Sequence, residues 1–597
     1  MIKRKNSPLL TFLLLTAAGV CLGLLSLWFA AGEYYIPMFL SYLKDPVLAV
    51  LNLAPAVMLV WFLYCLAGRA WLAFFLSSAL VITFTWASLF KVLYRDDPLL
   101  FEDLLLMREA ENMAGKYQPF LNESMVAAII LVLAGTAALW LLAGARPAGW
   151  TRLGGIAALI MLLIPLKTGL LDEEIYNNRI LNYELINRWS ATQVYLSKGF
   201  IYPFLHSVSY AIDEPPENYD RDRAESMLSA WPETDIPEDR KVNVIAIMLE
   251  AYNDFSKFDV PGLSGSVYEA YHELEAEGYS GNLLVNIFAG GTVDTERAFI
   301  TGLSTLGTFR SPTNSYAWYL KEQGYAVTGS HPSYQWFYNR LNVNANLGYD
   351  KYLYLENHYR ELTGDGIVYD DVFFPELIRL FEENLATGKP LFSFSVTYQG
   401  HGPYDDQEAR WGEDFVTGGA YTRAEQNILN NYFGSIANTN KNLAYLTDYL
   451  RTSEEPVVLV IFGDHNPWLG DGNSVYNTLG INLDLADEEG FYNYFSTRYL
   501  IWANAAAKEA TGCAFTGAGE DISPCFLMDE VFSQCGWDGP AFMQSSRVLK
   551  KRVPVVNSAG LYVEDGELAN MLTPEGAALL EDYYILQYYW RRNFVYE

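Results

Sequence analysis

Five long apolar stretches fill the first 171 residues, at 9–31, 46–68, 70–90, 124–145 and 153–171. Each approaches the roughly 20 residues that an α-helix needs to cross the hydrocarbon core of a bilayer. They lack charged faces: the first four contain no charged residue, a lone Arg69 parts the second and third, and Lys167 interrupts the fifth. Helices of a soluble core keep a polar face toward water, so these stretches imply a polytopic membrane domain. A cleaved signal peptide accounts for the first stretch only, and four more follow it.

Positive charge in the short loops orients the helices. Lys3, Arg4 and Lys5 precede the first, Arg69 lies between the second and third, and Arg146 and Arg152 lie between the fourth and fifth. These loops are expected on the cytoplasmic side. An odd number of crossings then places everything after Asp172 outside. Lys91 and Arg95 run against the rule, but Asp96, Asp97, Glu102 and Asp103 accompany them. Residues 94–106 read as an interfacial helix or a plain amphipathic connector.

The remaining residues are more polar and carry most of the charge. The whole chain has a formal net charge of -30, which excludes a basic nucleic-acid surface. Of five cysteines, Cys21 and Cys65 lie inside apolar runs; Cys513, Cys525 and Cys535 leave room for one disulfide, and no C-x-x-C spacing suggests zinc. Residues 177–205 read as an amphipathic helical linker on the membrane, with Trp189, Tyr195, Phe200 and Tyr202 at the interface. Residues 215–237 are rich in turns and acids and mark a boundary.

From Val242 the pattern changes. The continuous apolar run 242–249 has the length and composition of a buried parallel strand. Strands are predicted again at 325–328, 391–396, 456–462 and 499–502, with helical patterns at 372–385 and 422–450 between them. This alternation implies an α/β fold with a mainly parallel sheet, whose sites form at the carboxyl ends of strands.

Chemistry-bearing residues stand at those ends. Glu250 directly follows the first strand, where a carboxylate is costly unless it is paired or binds a cation. The fourth strand ends in Gly463-Asp464-His465, which offers two further ligands for one metal. Between them Gly290-Gly291-Thr292-Val293-Asp294-Thr295-Glu296 opens a helical pattern. Thr292 there reads either as a helix N-cap or as a nucleophile at a helix N-terminus, where a phosphate is favoured. A bare threonine hydroxyl is a poor nucleophile, so the second reading requires activation by a metal. His331 follows the second strand and His401 the third, and Arg340 is suited to a bidentate phosphate contact. His206, His272 and His358 have no such context and read as surface residues.

This ordered set resembles lipoteichoic acid synthase and its phosphoglycerol-transferase relatives, of the alkaline phosphatase–sulfatase superfamily. The resemblance spans the five-helix part and the domain after it, and includes an Asp521-Ile522-Ser523-Pro524 segment before a helix. It implies an N-terminal polytopic α-helical membrane domain of five helices (1–171), an amphipathic linker (172–240), an α/β sulfatase-like extracellular domain with a mainly parallel sheet (241–545), and a C-terminal extension packed on it (546–597). It also implies that Glu250, Thr292, Asp464 and His465 bind Mn2+, with Mg2+ or Zn2+ as the alternatives. Thr292 is the implied nucleophile, and His331, Arg340 and His401 the implied substrate contacts. The implied reaction moves glycerophosphate from phosphatidylglycerol to a glycerophosphate polymer or a glycolipid, at the outer face of the cell membrane, through a phospho-threonine intermediate. The departures from the family pattern are Gly291 where Lys is frequent, Ser333 at an acidic position, and Tyr338 where Trp is frequent. A sulfatase requires Cys or Ser in a Cys/Ser-x-Pro-x-Arg context, and Thr292-Val293-Asp294-Thr295-Glu296 lacks both features. A phosphoethanolamine or other head-group transferase, a phosphodiesterase, and a catalytically inactive membrane receptor are the remaining readings.

Overall fold

A computed structural model describes the chain except residues 1–6, 33–34, 96–97, 106–119, 179–184, 187–190, 212–213 and 597. The chain folds into two compact units. Unit 1 comprises Met1–Glu214 with Trp336–Arg340, and unit 2 comprises Pro215–Gln335 with Leu341–Glu597. The stretch 172–240 is thus divided between them.

Unit 1 contains the helices Pro8–Ala31, Pro46–Ala67, Ala70–Leu93, Glu123–Leu142 and Gly149–Leu171, all long and apolar enough to cross a membrane. Three of the starts have a local cause. Ser7, Asp45 and Asn122 accept N-cap bonds from Leu10, Val47 and Met125, and proline occupies the first position of the first two helices. The first helix packs tightly on the second through Gly19 and Gly23: a Cβ at either would lie 2.7 Å from an atom of Val57 or Leu53. Small residues four apart let apolar helices approach in this way. Outward faces expose Ile130, Leu131, Leu162 and Ile164, as a lipid-facing surface does.

In the segment 94–106 a helix spans Phe101–Leu105, and Lys91, which ran against the charge rule, forms an ion pair with Asp103 at 2.8 Å. Two expectations for this unit change. Residues 177–205 do not form one interfacial helix. Separate short helices span Ala191–Leu196, Ile201–His206 and Val208–Ala211, and Tyr195, Phe200 and Tyr202 are buried in the core of the unit. His206 is buried too, stacked on Tyr176 at 3.7 Å and bonded to the Leu170 carbonyl. The aromatic spacing that suggested an interface is satisfied by packing instead. Lys3, Arg4, Lys5, Asp96, Asp97, Leu106 and Trp189 lie outside the described residues.

Unit 2 is built on an eight-stranded sheet. Its strands are β1 (Asn243–Leu249), β2 (Tyr279–Leu284), β3 (Ala326–Ser330), β4 (Lys351–Leu353), β5 (Leu391–Val396), β6 (Val457–Gly463), β7 (Ser496–Ala503) and β8 (Gly517–Ala518), in the order β4-β3-β5-β1-β6-β7-β2-β8. The pairs β4–β3, β3–β5, β5–β1 and β1–β6 are parallel, whereas β7 runs antiparallel to both β6 and β2. Every residue of β1, β5 and β6 is buried, which is why these strands read as continuous apolar runs.

Alternate residues of β1 enter different cores. Val244, Ala246 and Met248 pack on one face, beneath Phe299 of the helix Thr292–Thr301 and Phe526 of Pro524–Cys535. Ile245, Ile247 and Leu249 pack on the other, beneath Phe373 of Asp370–Leu385 and Leu443 of Arg423–Thr452. The two-residue period of the strand sets this division. Beyond residue 546, a three-stranded antiparallel sheet precedes the helix Pro574–Arg592. That helix fastens the end of Thr292–Thr301: the Tyr583 hydroxyl donates to Gly302 and the Gln587 side chain accepts from Ser304.

Candidate metal centre and nucleophile

Sheet register brings the chemistry together. In the parallel pair β1–β6, Leu249 stands opposite Gly463, so the next residues, Glu250 and Asp464, leave the sheet side by side. Glu250, Asp464 and His465 are buried, and each offers a ligand atom within 4.8 Å of the other two. Asp464 Oδ1 accepts the backbone N–H groups of Ala251 and His465, both at 2.8 Å. Its other oxygen, Oδ2, is buried without a hydrogen-bond partner and lies 3.3 Å from His465 Nε2. His465 Nδ1 lies 3.0 Å from the Asn466 carbonyl. A carbonyl only accepts, so Nδ1 carries a proton and Nε2 is the ring nitrogen that faces the carboxylates, also 3.7 Å from Glu250 Oε1. Ala251 holds a left-handed φ of 51° between these groups, a conformation costly for a non-glycine residue and concentrated at functional sites.

Thr292 joins this group. Its Oγ1 lies 3.4 Å from Glu250 Oε2. The helix Thr292–Thr301 starts at this residue, and the cap position is Gly291, at φ 81° with no side-chain cap bond. The N-cap reading of Thr292 is therefore corrected: the residue is the first of the helix, and its hydroxyl turns to the carboxylate rather than to a backbone N–H. The helix is held to the β6 end by Thr295, whose hydroxyl donates to the Asp464 carbonyl at 2.9 Å.

His331 is buried, with Nδ1 on the Val396 carbonyl at 3.1 Å. His401 is exposed, with Nδ1 on the Gly402 carbonyl. The Tyr398 ring lies 6.0 Å from the His331 ring and 5.3 Å from the His401 ring. Arg340 falls in unit 1, buried beside the rings of Phe337 and Tyr338. The other six site residues expected from sequence fall in unit 2.

Comparison with known proteins identifies the domain. Residues 242–524 match the sulfatase family model. This region is a sulfatase-family domain. A curated relative, the "Putative cyclic beta-1,2-glucan modification protein" of Rhizobium meliloti (strain 1021), is 25% identical over 585 residues, covering 92% of this chain and 87% of its own. Among solved structures, the phosphoglycerol transferase GacH of Streptococcus pyogenes, in complex with sn-glycerol-1-phosphate, is similar with a TM-score of 0.48 and 19% identity, over 63% of this chain and 94% of its own. The lipoteichoic acid synthase LtaP of Listeria monocytogenes has a TM-score of 0.43 and 17% identity, over 62% and 97%. The integral membrane lipooligosaccharide phosphoethanolamine transferase A of Neisseria meningitidis has a TM-score of 0.35 and 12% identity, over 89% and 96%.

Within the sulfatase domain, several positioning residues carry no signal in the sequence. Glu250 N–H donates to the Thr397 hydroxyl at 2.9 Å, the Thr497 hydroxyl donates to the Gly463 carbonyl at 2.9 Å, and Asn253 donates to the Asn466 side chain at 2.6 Å. Thr397 alone had a cue, directly after a predicted strand; Asn253, Asn466 and Thr497 take their roles from contacts more than 30 positions away in the chain. Burial and then the Glu250 charge hold the Tyr398 hydroxyl above the ordinary range, against a Ser333 hydrogen bond.

The donor set fits a divalent cation. The orphaned Asp464 oxygen, the Glu250 carboxylate, an imidazole nitrogen and a hydroxyl converge. Taking such charges out of water is expensive unless a cation completes the group. The set is mostly hard oxygen, which suits manganese or magnesium better than a histidine-rich zinc site.

Proposed function

We propose that this chain is a membrane-anchored phosphotransferase that moves the phosphoglycerol head group of phosphatidylglycerol to an acceptor hydroxyl through a covalent Thr292 intermediate. The observation that carries this reading is the Thr292 hydroxyl at a helix N-terminus, 3.4 Å from Glu250 in the Glu250–Asp464–His465 group. The sulfatase reaction itself is disfavoured, because threonine cannot supply the formylglycine that Cys or Ser gives.

Glu250, Asp464, His465 and Thr292 would hold the cation, which when bound lowers the hydroxyl pKa and offsets charge on phosphoryl oxygens. In the first step the Thr292 Oγ–P bond forms and the P–O bond to diacylglycerol breaks. The Thr292 proton passes to solvent water, and the departing alkoxide takes up a proton to leave as the diacylglycerol hydroxyl. His401, exposed beside Tyr398, is the candidate donor. In the second step the acceptor O–P bond forms and the Thr292 Oγ–P bond breaks; the acceptor proton passes to the same histidine, and the Thr292 oxygen takes up a proton from solvent. The N-terminus of Thr292–Thr301 favours the anion. His331, buried and fixed on the Val396 carbonyl, supports the head-group side.

The charged loops at Arg69, Arg146 and Arg152 support an extracytoplasmic site above the leaflet that holds the donor lipid. The curated relative's name favours a sugar hydroxyl as one acceptor. Purified full-length protein with manganese and fluorescent phosphatidylglycerol should release fluorescent diacylglycerol. Release from phosphatidylethanolamine alone would transfer the reading to a phosphoethanolamine transferase, and release from neither lipid would sink it.

A further inference from the structure

A cleft of about 1040 Å³ opens in unit 2, with His401 on its wall. We propose that this cleft holds the acceptor, and that it selects a neutral polyhydroxylated molecule, a sugar or oligosaccharide, over an anionic glycerophosphate chain. The inference rests on the phosphotransfer reading above.

Position is the first argument. His401 follows Gly400, where a Cβ would stand 2.3 Å from the Glu250 carbonyl oxygen. The cleft therefore begins on the loop that lies against the metal-ligand backbone. Tyr404 also lines the cleft, donates to the Gly400 carbonyl at 2.8 Å, and is held well above its ordinary pKa by burial, with the Glu250 and Asp464 charges contributing. An acceptor in the cleft has one end at the candidate proton-transfer histidine.

Charge is the second. The walls carry Asp371, Asp405, Asp406, Glu425 and Asp471 against one guanidinium, Arg410. Arg410 is engaged by Asp405, and Asp371 pairs with Lys441. Asp406, Glu425 and Asp471 have no cationic partner among the described residues. A wall of this sign repels a polyphosphate chain. A neutral polyol meets no such barrier, and its hydroxyls donate to carboxylate oxygens in charge-assisted bonds.

Shape is the third. Trp468 is 49% exposed and Tyr369 47% exposed on the cleft, and Trp411 stands edge-on to Tyr369 with centroids 5.7 Å apart. Single exposed aromatics need no explanation. Three around one cleft with carboxylates form flat platforms for the C–H face of a pyranose ring, whose hydroxyl edge then reaches the acids. The acidic loop is held in place: Asn431 donates to the Asp405 and Glu408 carbonyls at 2.8 and 2.7 Å, and Asn427 donates to the Asp406 carbonyl at 2.9 Å. A preformed wall lowers the ordering cost of binding.

The test uses full-length protein in detergent and three probes: a neutral β-gluco-oligosaccharide, a glycerophosphate oligomer and inorganic phosphate. Titration of intrinsic tryptophan fluorescence should report binding of the oligosaccharide and not of the two anions. Trp468→Ala should weaken oligosaccharide binding about tenfold, which corresponds to about 1.4 kcal/mol, and Trp468→Phe should restore part of it. With phosphatidylglycerol present, phosphoglycerol should appear on the oligosaccharide, and Trp468→Ala should raise the KM for oligosaccharide about tenfold with a smaller change in kcat. Manganese binding by each variant checks the fold. Tighter binding of the glycerophosphate oligomer than of the sugar overturns the proposal, as does an oligosaccharide KM indifferent to Trp468→Ala. If no diacylglycerol is released from any donor, the transfer reading falls; sugar quenching lost in Trp468→Ala then upholds the cleft as a sugar site, and absent quenching overturns it.

Discussion

Removal of the Thr292 hydroxyl separates a structural role from a chemical one. The residue supplies no cap bond to its helix, so Thr292→Ala should cost less than the ~1 kcal/mol typical of a lost N-cap. The same variant should release no diacylglycerol, Thr292→Ser should retain part of the release, and mass spectrometry of wild-type protein after brief exposure to donor should find a glycerophosphate adduct on Thr292. A folded Thr292→Ala protein that still turns over would remove this residue from the mechanism. Asp370 makes a second residue-scale prediction. It is fully buried, Oδ1 has no hydrogen-bond partner, and burial pushes its carboxyl up to about 7, against a Thr439 hydrogen bond and with help from the Asp371 charge. The folded state thus binds this proton more tightly than the unfolded chain does, where the value is 3.8. Its contribution is complete below about pH 4 and is lost as pH rises to about 7. At 1.36 kcal/mol per pH unit, the loss is on the order of 4 kcal/mol. Calorimetry at pH 4 and pH 8 should find wild-type Tm falling by more than that of Asp370→Asn; equal falls would remove Asp370 as the cause.

At the scale of elements, the candidate site is a product of strand ends. Parallel register at the centre of the sheet sets Glu250 beside Asp464, and close backbone contact sets the loop after β6. A Cβ on Gly463 would stand 1.9 Å from the Tyr252 carbonyl oxygen, so any side chain there must displace the Asp464-His465 backbone or the chain after Glu250. Gly463→Ala touches no ligand. It should nevertheless lower manganese affinity at least about tenfold, the cost typical of disturbing groups that orient ligands. Calorimetric titration measures this, and unchanged affinity would mean that the loop positions its ligands independently of that contact.

For the whole molecule, the expected topology places the residues after 172 outside the cell. A protease-accessibility tag at Pro216 should report an external location; a cytoplasmic report would remove access to the outer leaflet. The cation should also couple to stability, because it binds the folded ligand set and not the unfolded chain. At a hundredfold excess over Kd such a ligand adds about 2.7 kcal/mol. Chelation should lower the Tm of the sulfatase domain, and manganese should restore it in a concentration-dependent way, more effectively than zinc.

The sequence alone determined the features that arise locally. Five membrane-length helices follow from uninterrupted apolar composition, because no water is available to a chain crossing lipid. The buried strands β1, β5 and β6 follow from apolar runs, and Glu250, Thr292, Asp464 and His465 were marked by their place after strands or before a helix. What requires contact between distant segments was decided by the tertiary structure. β2 was missed because Tyr279-Ser280-Gly281-Asn282 has little strand propensity; pairing with β7 makes it a strand. Tyr195, Phe200, Tyr202 and His206 read as interface or surface, and packing buried them. Thr292 proved to be the first residue of its helix, because Gly291, at φ 81°, takes the cap position. The cleft beside His401 joins residues from 367 to 474. No local pattern announces it, since the charge and shape of a cleft are sums over segments that only the fold brings together.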